Sequence, residues 1–253
     1  MYGSRGRIGL VTLATDTSVL PEYQRLMPED VAVYPAPILL PRGEVTAAAL
    51  DEMLQGDQLE RAASLLRWSE VAAVVFACTS GSLIHGPGWD RRIAARIEAA
   101  AGVPAVATAT AVLDALRAAG ARSVAVATPY LDEINDAERR FLDAAGFAVT
   151  RIEGLQCGTD REIGRLGPED AIRQCAAVDS PGADAVFISC TNWHCVEAIP
   201  VLEARLGKPV ISSNLAGAWA ALGLIGAGEP RDGFGSLLAG AAAKPAGAAG
   251  AAA

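Results

Sequence analysis

The chain has 253 residues, 51 % hydrophobic and only 5 % aromatic, with 29 acids against 21 bases for a net charge of −8. That is apolar material for one large domain or two of about 100 residues each. The acidic balance and the lack of a basic run weigh against nucleic acid and anionic membranes as partners, and no segment has the length and apolarity of a membrane span.

The N-terminal run RIGLVTLATD (7–16) is short and closed by Asp16. It predicts a first strand over 7–13, not a signal peptide, and a cytoplasmic protein. Further strands are predicted near 31–36, 71–77, 103–107, 122–127, 147–153, 184–189 and 208–212. Between them, helices are predicted near 18–27, 44–68, 88–101, 109–119, 131–145, 168–178, 194–206 and 215–224. This βαβα rhythm predicts parallel sheets covered by helices. From 239 onward the Ala/Gly/Pro-rich tail, AGAAAKPAGAAGAAA, cannot offset its ordering entropy and is expected to be disordered. Cys78, Cys157, Cys175, Cys190 and Cys195 are odd in number and irregularly spaced, which predicts free thiols.

The order of elements repeats. VAAVVFACTSGSL (71–83) resembles ADAVFISCTNWHC (183–195), GVPAVATATAVLDAL (102–116) resembles GKPVISSNLAGAWAA (207–221), and RIGLVTLATD resembles RSVAVATPYLD (122–132). Matched positions lie 112, 105 and 115 residues apart, as expected of two copies of one four-stranded unit. In each copy a buried strand ends in Cys-Thr, at Cys78-Thr79 and Cys190-Thr191. In parallel α/β sheets, ligands bind outside the carboxyl ends of strands. The small and polar residues that follow (Thr79, Ser80, Thr191, Asn192) suit a tight loop entering a helix, where the dipole is expected to lower a thiol's pKa. One such cysteine reads most simply as core; two at matched positions point to chemistry. Facing each other, two thiols suit two-base proton transfer at an α-carbon. They also suit thiolate addition to a double bond, rotation and elimination. Both routes need donors for a carboxylate, which residues 79, 80 and 191 can supply.

These motifs resemble the aspartate/glutamate racemase superfamily, in the branch of maleate cis-trans isomerase and arylmalonate decarboxylase, over about residues 7–238. LEARLGKPVISSNLAGAWAAL (202–222) is most similar to the decarboxylases. DREIGRLGPEDAI (160–172) followed by ADAVFISCT is similar to the ectoine-utilisation proteins of that branch. The resemblance implies an α/β fold of two flavodoxin-like halves, each a four-stranded parallel sheet flanked by helices, related by a pseudo-two-fold axis with the active site between them. The halves are expected at 1–112, with 214–238 packing back onto it, and at 113–213, followed by the tail 239–253. No metal, nucleotide or pyridoxal cofactor is implied. Cys190 matches the second-half proton donor, and Cys78 the nucleophile of maleate isomerases, where the decarboxylases carry Gly. Thr79, Ser80 and Tyr130 match residues that hold the substrate carboxylate, and Thr191 follows the second cysteine. Asp16 and Asp160 stand where maleate isomerases carry Asn, and an ionised carboxylate there repels a substrate carboxylate.

The expected function is therefore cofactor-independent isomerisation of a small carboxylic acid, with racemisation of an amino-acid derivative or malonate-type decarboxylation as alternatives. A two-lobed binding protein without chemistry is a third class, against which the paired cysteines speak. The expected oligomeric state is a monomer or small homo-oligomer. His194 and Cys195 raise zinc, but His85 and Cys157 complete no recognisable ligand spacing. Trp89 and Trp193 follow the two Cys-Thr turns and are candidates for cleft or packing roles.

Overall fold

The computed structural model describes residues 2–240; the expected tail falls almost wholly at 241–253, outside the described residues. The first half runs β1 (Gly6–Leu13), α1 (Val19–Leu26), β2 (Val31–Ile38), α2 (Ala47–Leu54), α3 (Gln58–Leu66), β3 (Ala73–Ala77), α4 (Thr79–Leu83), α5 (Trp89–Ala101), β4 (Ala105–Ala107) and α6 (Thr108–Ala118). The second runs β5 (Ser123–Thr128), α7 (Asp132–Ala144), β6 (Ala148–Gly154), α8 (Asp160–Ile163), α9 (Pro168–Val178), β7 (Ala185–Ile188), α10 (Ala198–Leu206), β8 (Val210–Ser212) and α11 (Ser213–Leu224).

The strands form two all-parallel four-stranded sheets with the same order, β2-β1-β3-β4 and β6-β5-β7-β8. The central strands β3 and β7 (AVVFA and AVFI) are buried throughout, as continuous β-branched and small apolar runs must be when helices cover both faces. The edge strands carry what a centre cannot accept. β2 includes Pro35 and Pro37, which lack the N–H a second neighbour would need, and β6 includes exposed Thr150 and Arg151. The helix α11 is buried along nearly its whole length and packs against α6, α1 and β3 as well as β8.

Three local expectations need correction. The stretch 44–68 is two helices, α2 and α3: Gln55 turns extended and Gly56 takes φ +74°, so the chain breaks before α3 begins. The loop expected after Cys78 is replaced by α4, which starts at once with Cys78 as its N-cap. After Cys190 the chain stays irregular until α10 at Ala198, so the helix expected from 194 begins four residues late.

Candidate active site

In each sheet the chain leaves the two central strands, β1 and β3 or β5 and β7, in opposite directions, and the crevice beyond their carboxyl ends is the natural ligand site. Asp16 follows β1, Cys78 follows β3, Tyr130 follows β5 and Cys190 follows β7. Cys78, Thr79, Ser80, Tyr130, Asp160, Cys190 and Thr191 are all buried, the two cysteines at 2 % and 5 % exposure. Asp16 is half-buried as a residue, but its Oδ2 is enclosed.

Hydrogen bonds interlock the two Cys-Thr turns. The Thr191 hydroxyl donates to the carbonyl of Ala77, the residue before Cys78, at 3.4 Å. Thr79 shares a hydroxyl–hydroxyl bond of 2.8 Å with Ser213, and the Cys190 amide donates to the same Ser213 oxygen at 3.1 Å. Around this seam Thr15 donates to Asp160 at 2.6 Å and the Thr17 amide to Asn192 at 2.8 Å, while Asn192 donates to the Asp160 carbonyl at 2.8 Å. Tyr130 is fixed by its amide, which donates to Thr128 at 3.2 Å, and by Asn135, which bonds both Thr128 and the Tyr130 carbonyl. Its phenol addresses the Cys190 sulfur. Cys190 sits at φ +139°, a conformation that disfavours a side chain and marks a strained, over-determined turn.

The thiols contradict the expectation of lowered pKa. Burial pushes Cys78 up to about 12, with the Asp160 and Asp16 charges adding to it; the Gly81 amide and the Ser80 hydroxyl, 4.0 Å away, only partly offset this. Cys190 is pushed well above the usual thiol range, again chiefly by burial and then by Asp160, against the Tyr130 phenol and the Asn192 amide. A dipole from five-residue α4, or from no helix at all after Cys190, does not outweigh desolvation. The same burial raises Asp16 to about 7, with Asp160 adding to it; the Val19 and Ser18 amides, which donate to Oδ1 at 2.8 and 2.9 Å, work the other way. Asp16 Oδ2 has no hydrogen-bond partner among the described residues. Burial also raises Asp160, against the Thr15 and Asn192 hydrogen bonds.

The remaining candidates fall outside this cluster. Trp89 donates to the Gly81 carbonyl at 3.0 Å and so braces α4, and buried Trp193 donates to the Gly167 carbonyl at 3.3 Å and braces the start of α9. His194 pairs with Glu197 at 2.8 Å. Among the described residues Glu22, His194 and Glu197 come together as a possible ligand trio. Glu22, however, already accepts from the Cys195 and Val196 amides and from Asn214, and Arg25 pairs with Glu197. All five cysteines are free. Three residues escaped the sequence reading: Ser213, Asn192 as a partner of Asp160, and Glu138. Glu138 is buried on α7 with both oxygens unpartnered, beside Ser189 and Tyr130. Ser213 had a signal, because the repeat matches it to Thr108, another hydroxyl residue at a strand-to-helix junction.

A family model described as arylmalonate decarboxylase matches residues 8–238. The chain is 32 % identical over 230 residues to arylmalonate decarboxylase of Bordetella bronchiseptica, covering 87 % of this chain and 94 % of that protein. It is 25 % identical over 220 residues to maleate isomerase of Geobacillus stearothermophilus, covering 82 % and 86 %. A cysteine-to-alanine variant of the maleate isomerase Iso from Pseudomonas putida S16, solved with maleate, superposes with a TM-score of 0.86 at 25 % identity, over 94 % of this chain and 98 % of that one. A liganded arylmalonate decarboxylase variant, with glycine changed to cysteine and cysteine to serine, gives 0.83 at 28 % identity, over 92 % and 98 %. The chain therefore belongs to the arylmalonate decarboxylase family and is an enzyme of this group of decarboxylases and isomerases.

Proposed function

We propose that the protein is an isomerase of a small carboxylic acid that works with two thiols, Cys78 and Cys190, and no cofactor. The observation that carries this reading is the interlock of the two Cys-Thr turns through Thr191, Thr79 and Ser213, which sets one cysteine from each half on either side of one seam. In the reaction, Cys78 first loses its thiol proton to solvent, an uphill step given its raised pKa, and the thiolate adds to one carbon of a conjugated double bond. Cys190 passes its proton to the neighbouring carbon, the new single bond rotates, and the reverse transfers release the other isomer. The high pKa of Cys190 suits it to hold that proton until the carbanion forms. Tyr130, Ser80 and the Thr79–Ser213 hydroxyl pair serve the carboxylate and the charge that develops on it, while Thr191, whose hydroxyl donates to the Ala77 carbonyl, holds the seam.

The concern over Asp16 and Asp160 eases in this setting. Asp16 is pushed up to about 7 and is partly neutral at neutral pH, where it donates a hydrogen bond as an Asn amide does; burial moves Asp160 in the same direction. A dicarboxylate such as maleate is then an acceptable ligand. A second reading, malonate-type decarboxylation, is favoured by the 32 % identity to a decarboxylase. Loss of CO2 from a malonate gives an enediolate that Cys190 can protonate without help from Cys78. Incubation in D2O with maleate, phenylmalonate and chiral amino-acid derivatives, followed by proton NMR, separates these readings. Fumarate from maleate supports isomerisation, CO2 loss from phenylmalonate alone replaces it with decarboxylation, and α-deuteration with loss of optical activity replaces it with racemisation.

A further inference from the structure

We propose that Ser213 is a positioning residue whose hydroxyl, shared between Thr79 and the Cys190 amide, sets the two cysteine turns relative to each other. The proposal rests on the two-thiol reading for its role in catalysis. Its geometry is local and specific. Ser213 is the first residue of α11, and it is buried. Its oxygen is 2.8 Å from Thr79 Oγ1, next to Cys78, and 3.1 Å from the amide nitrogen of Cys190. One side chain thus joins the residue after the first cysteine to the backbone of the second.

Three further observations converge on this position. Cys190 is held at φ +139°, and the Ser213 bond is what its amide gains there, so the serine helps to over-determine a strained turn. The neighbouring Asn214 donates to the Thr191 carbonyl at 2.8 Å and to Glu22 at 2.7 Å, so the first turn of α11 grips the same loop twice. Thr108, which the repeat matches to Ser213, spends its hydroxyl on the Phe76 carbonyl at 2.8 Å, inside its own sheet. Equivalent hydroxyls have therefore diverged, one serving a single half and the other crossing between halves.

Proton counting adds a consequence. Thr79 and Ser213 bring two hydroxyl protons, and one is used in the bond between them. The other remains for a ligand oxygen, and the Cys190 amide that enters the pair strengthens that donor. Removal of the Ser213 oxygen leaves a buried amide without a partner and frees Thr79 from the seam.

The test follows alkylation of Cys190 by iodoacetamide in the intact protein, mapped by mass spectrometry, with buried Cys175 as internal control. In S213A, Cys190 is expected to react about tenfold faster, the factor for loss of one buried hydrogen bond, with Cys175 unchanged. T79V is expected to move Cys190 in the same direction but less, and S213A/T79V to be no worse than S213A alone, because the two hydroxyls act as one unit. Turnover of whichever panel compound reacts is expected to lose kcat more than KM in S213A. Unchanged Cys190 reactivity, or simple addition of the two effects, overturns the proposal. If S213A does not fold, T79V decides by the same rule. Silence across the substrate panel counts against the two-thiol reading and leaves the alkylation result to judge Ser213.

Discussion

Replacement of Asp16 by Asn removes a titrating group without changing its shape. Asp16 has a raised pKa of about 7, caused first by burial and then by Asp160, and its Oδ2 is the oxygen left unpartnered. In the neutral form it can donate to a ligand carboxylate. In the ionised form at about 5 Å it opposes one by about 3 kcal/mol at an effective dielectric of about 20, or roughly a hundredfold in affinity. Binding is then limited by the neutral population. That population is about nine-tenths at pH 6 and about one-tenth at pH 8, so the apparent Kd weakens by about tenfold between them. Fumarate is the suitable probe, since both of its own carboxyls are ionised across this range. Isothermal titration at pH 6, 7 and 8 is expected to show this loss in the wild type and a flat profile in D16N. A flat wild-type profile, or the same slope in both proteins, refutes the reasoning.

Glu138 titrates in the opposite sense to a salt-bridged acid. Burial raises its folded pKa from 4.5 to about 8, so the stability this group supports is complete below pH 4.5 and is lost progressively as pH rises through about 8. Between pH 5 and 7.5 that amounts to about 3 kcal/mol, so E138L is expected to gain about 5–10 °C in Tm over the wild type across this window; a gap that does not change with pH contradicts it. The raised thiol pKa values of Cys78 and Cys190 predict that iodoacetamide at pH 8 labels half-buried Cys157 first, and earlier labelling of either buried thiol counts against the electrostatics. A Cβ at Gly154 would run into the Tyr130 carbonyl and Asn135, so G154A is expected to cost about 1–3 kcal/mol in chemical denaturation and to lower turnover by displacing Tyr130; wild-type stability and turnover would show that Tyr130 has room to move.

The eight strands were legible because β-branched and small apolar runs such as AVVFA (73–77) have no other stable home, and the edge prolines of β2 agree with its place. Cys78 and Cys190 were legible through the repeat, which places both after the third strand of their sheet. The break at Gly56 was available in the sequence but was outweighed by helical periodicity on either side. Three things were not legible. The charge state of the thiols depends on desolvation, which no local pattern reports. Glu138 lies in DEINDAERRFLDA, a helix that reads as mostly solvated, and only the packing of α7 turns that one acid inward. Ser213 lay in a block already matched to the first half, yet its contacts cross between halves and so needed the tertiary fold.

The central claim is that both thiols take part in the chemistry. The direct measurement compares the wild type, C78S and C190S on the D2O panel by proton NMR. If two-thiol isomerisation is right, maleate gives fumarate with the wild type and each serine variant loses at least about a thousandfold in rate, since either thiol is indispensable to the addition–rotation route. Full activity in C78S with loss only in C190S, on phenylmalonate in place of maleate, would contradict the claim and make the enzyme a one-thiol decarboxylase.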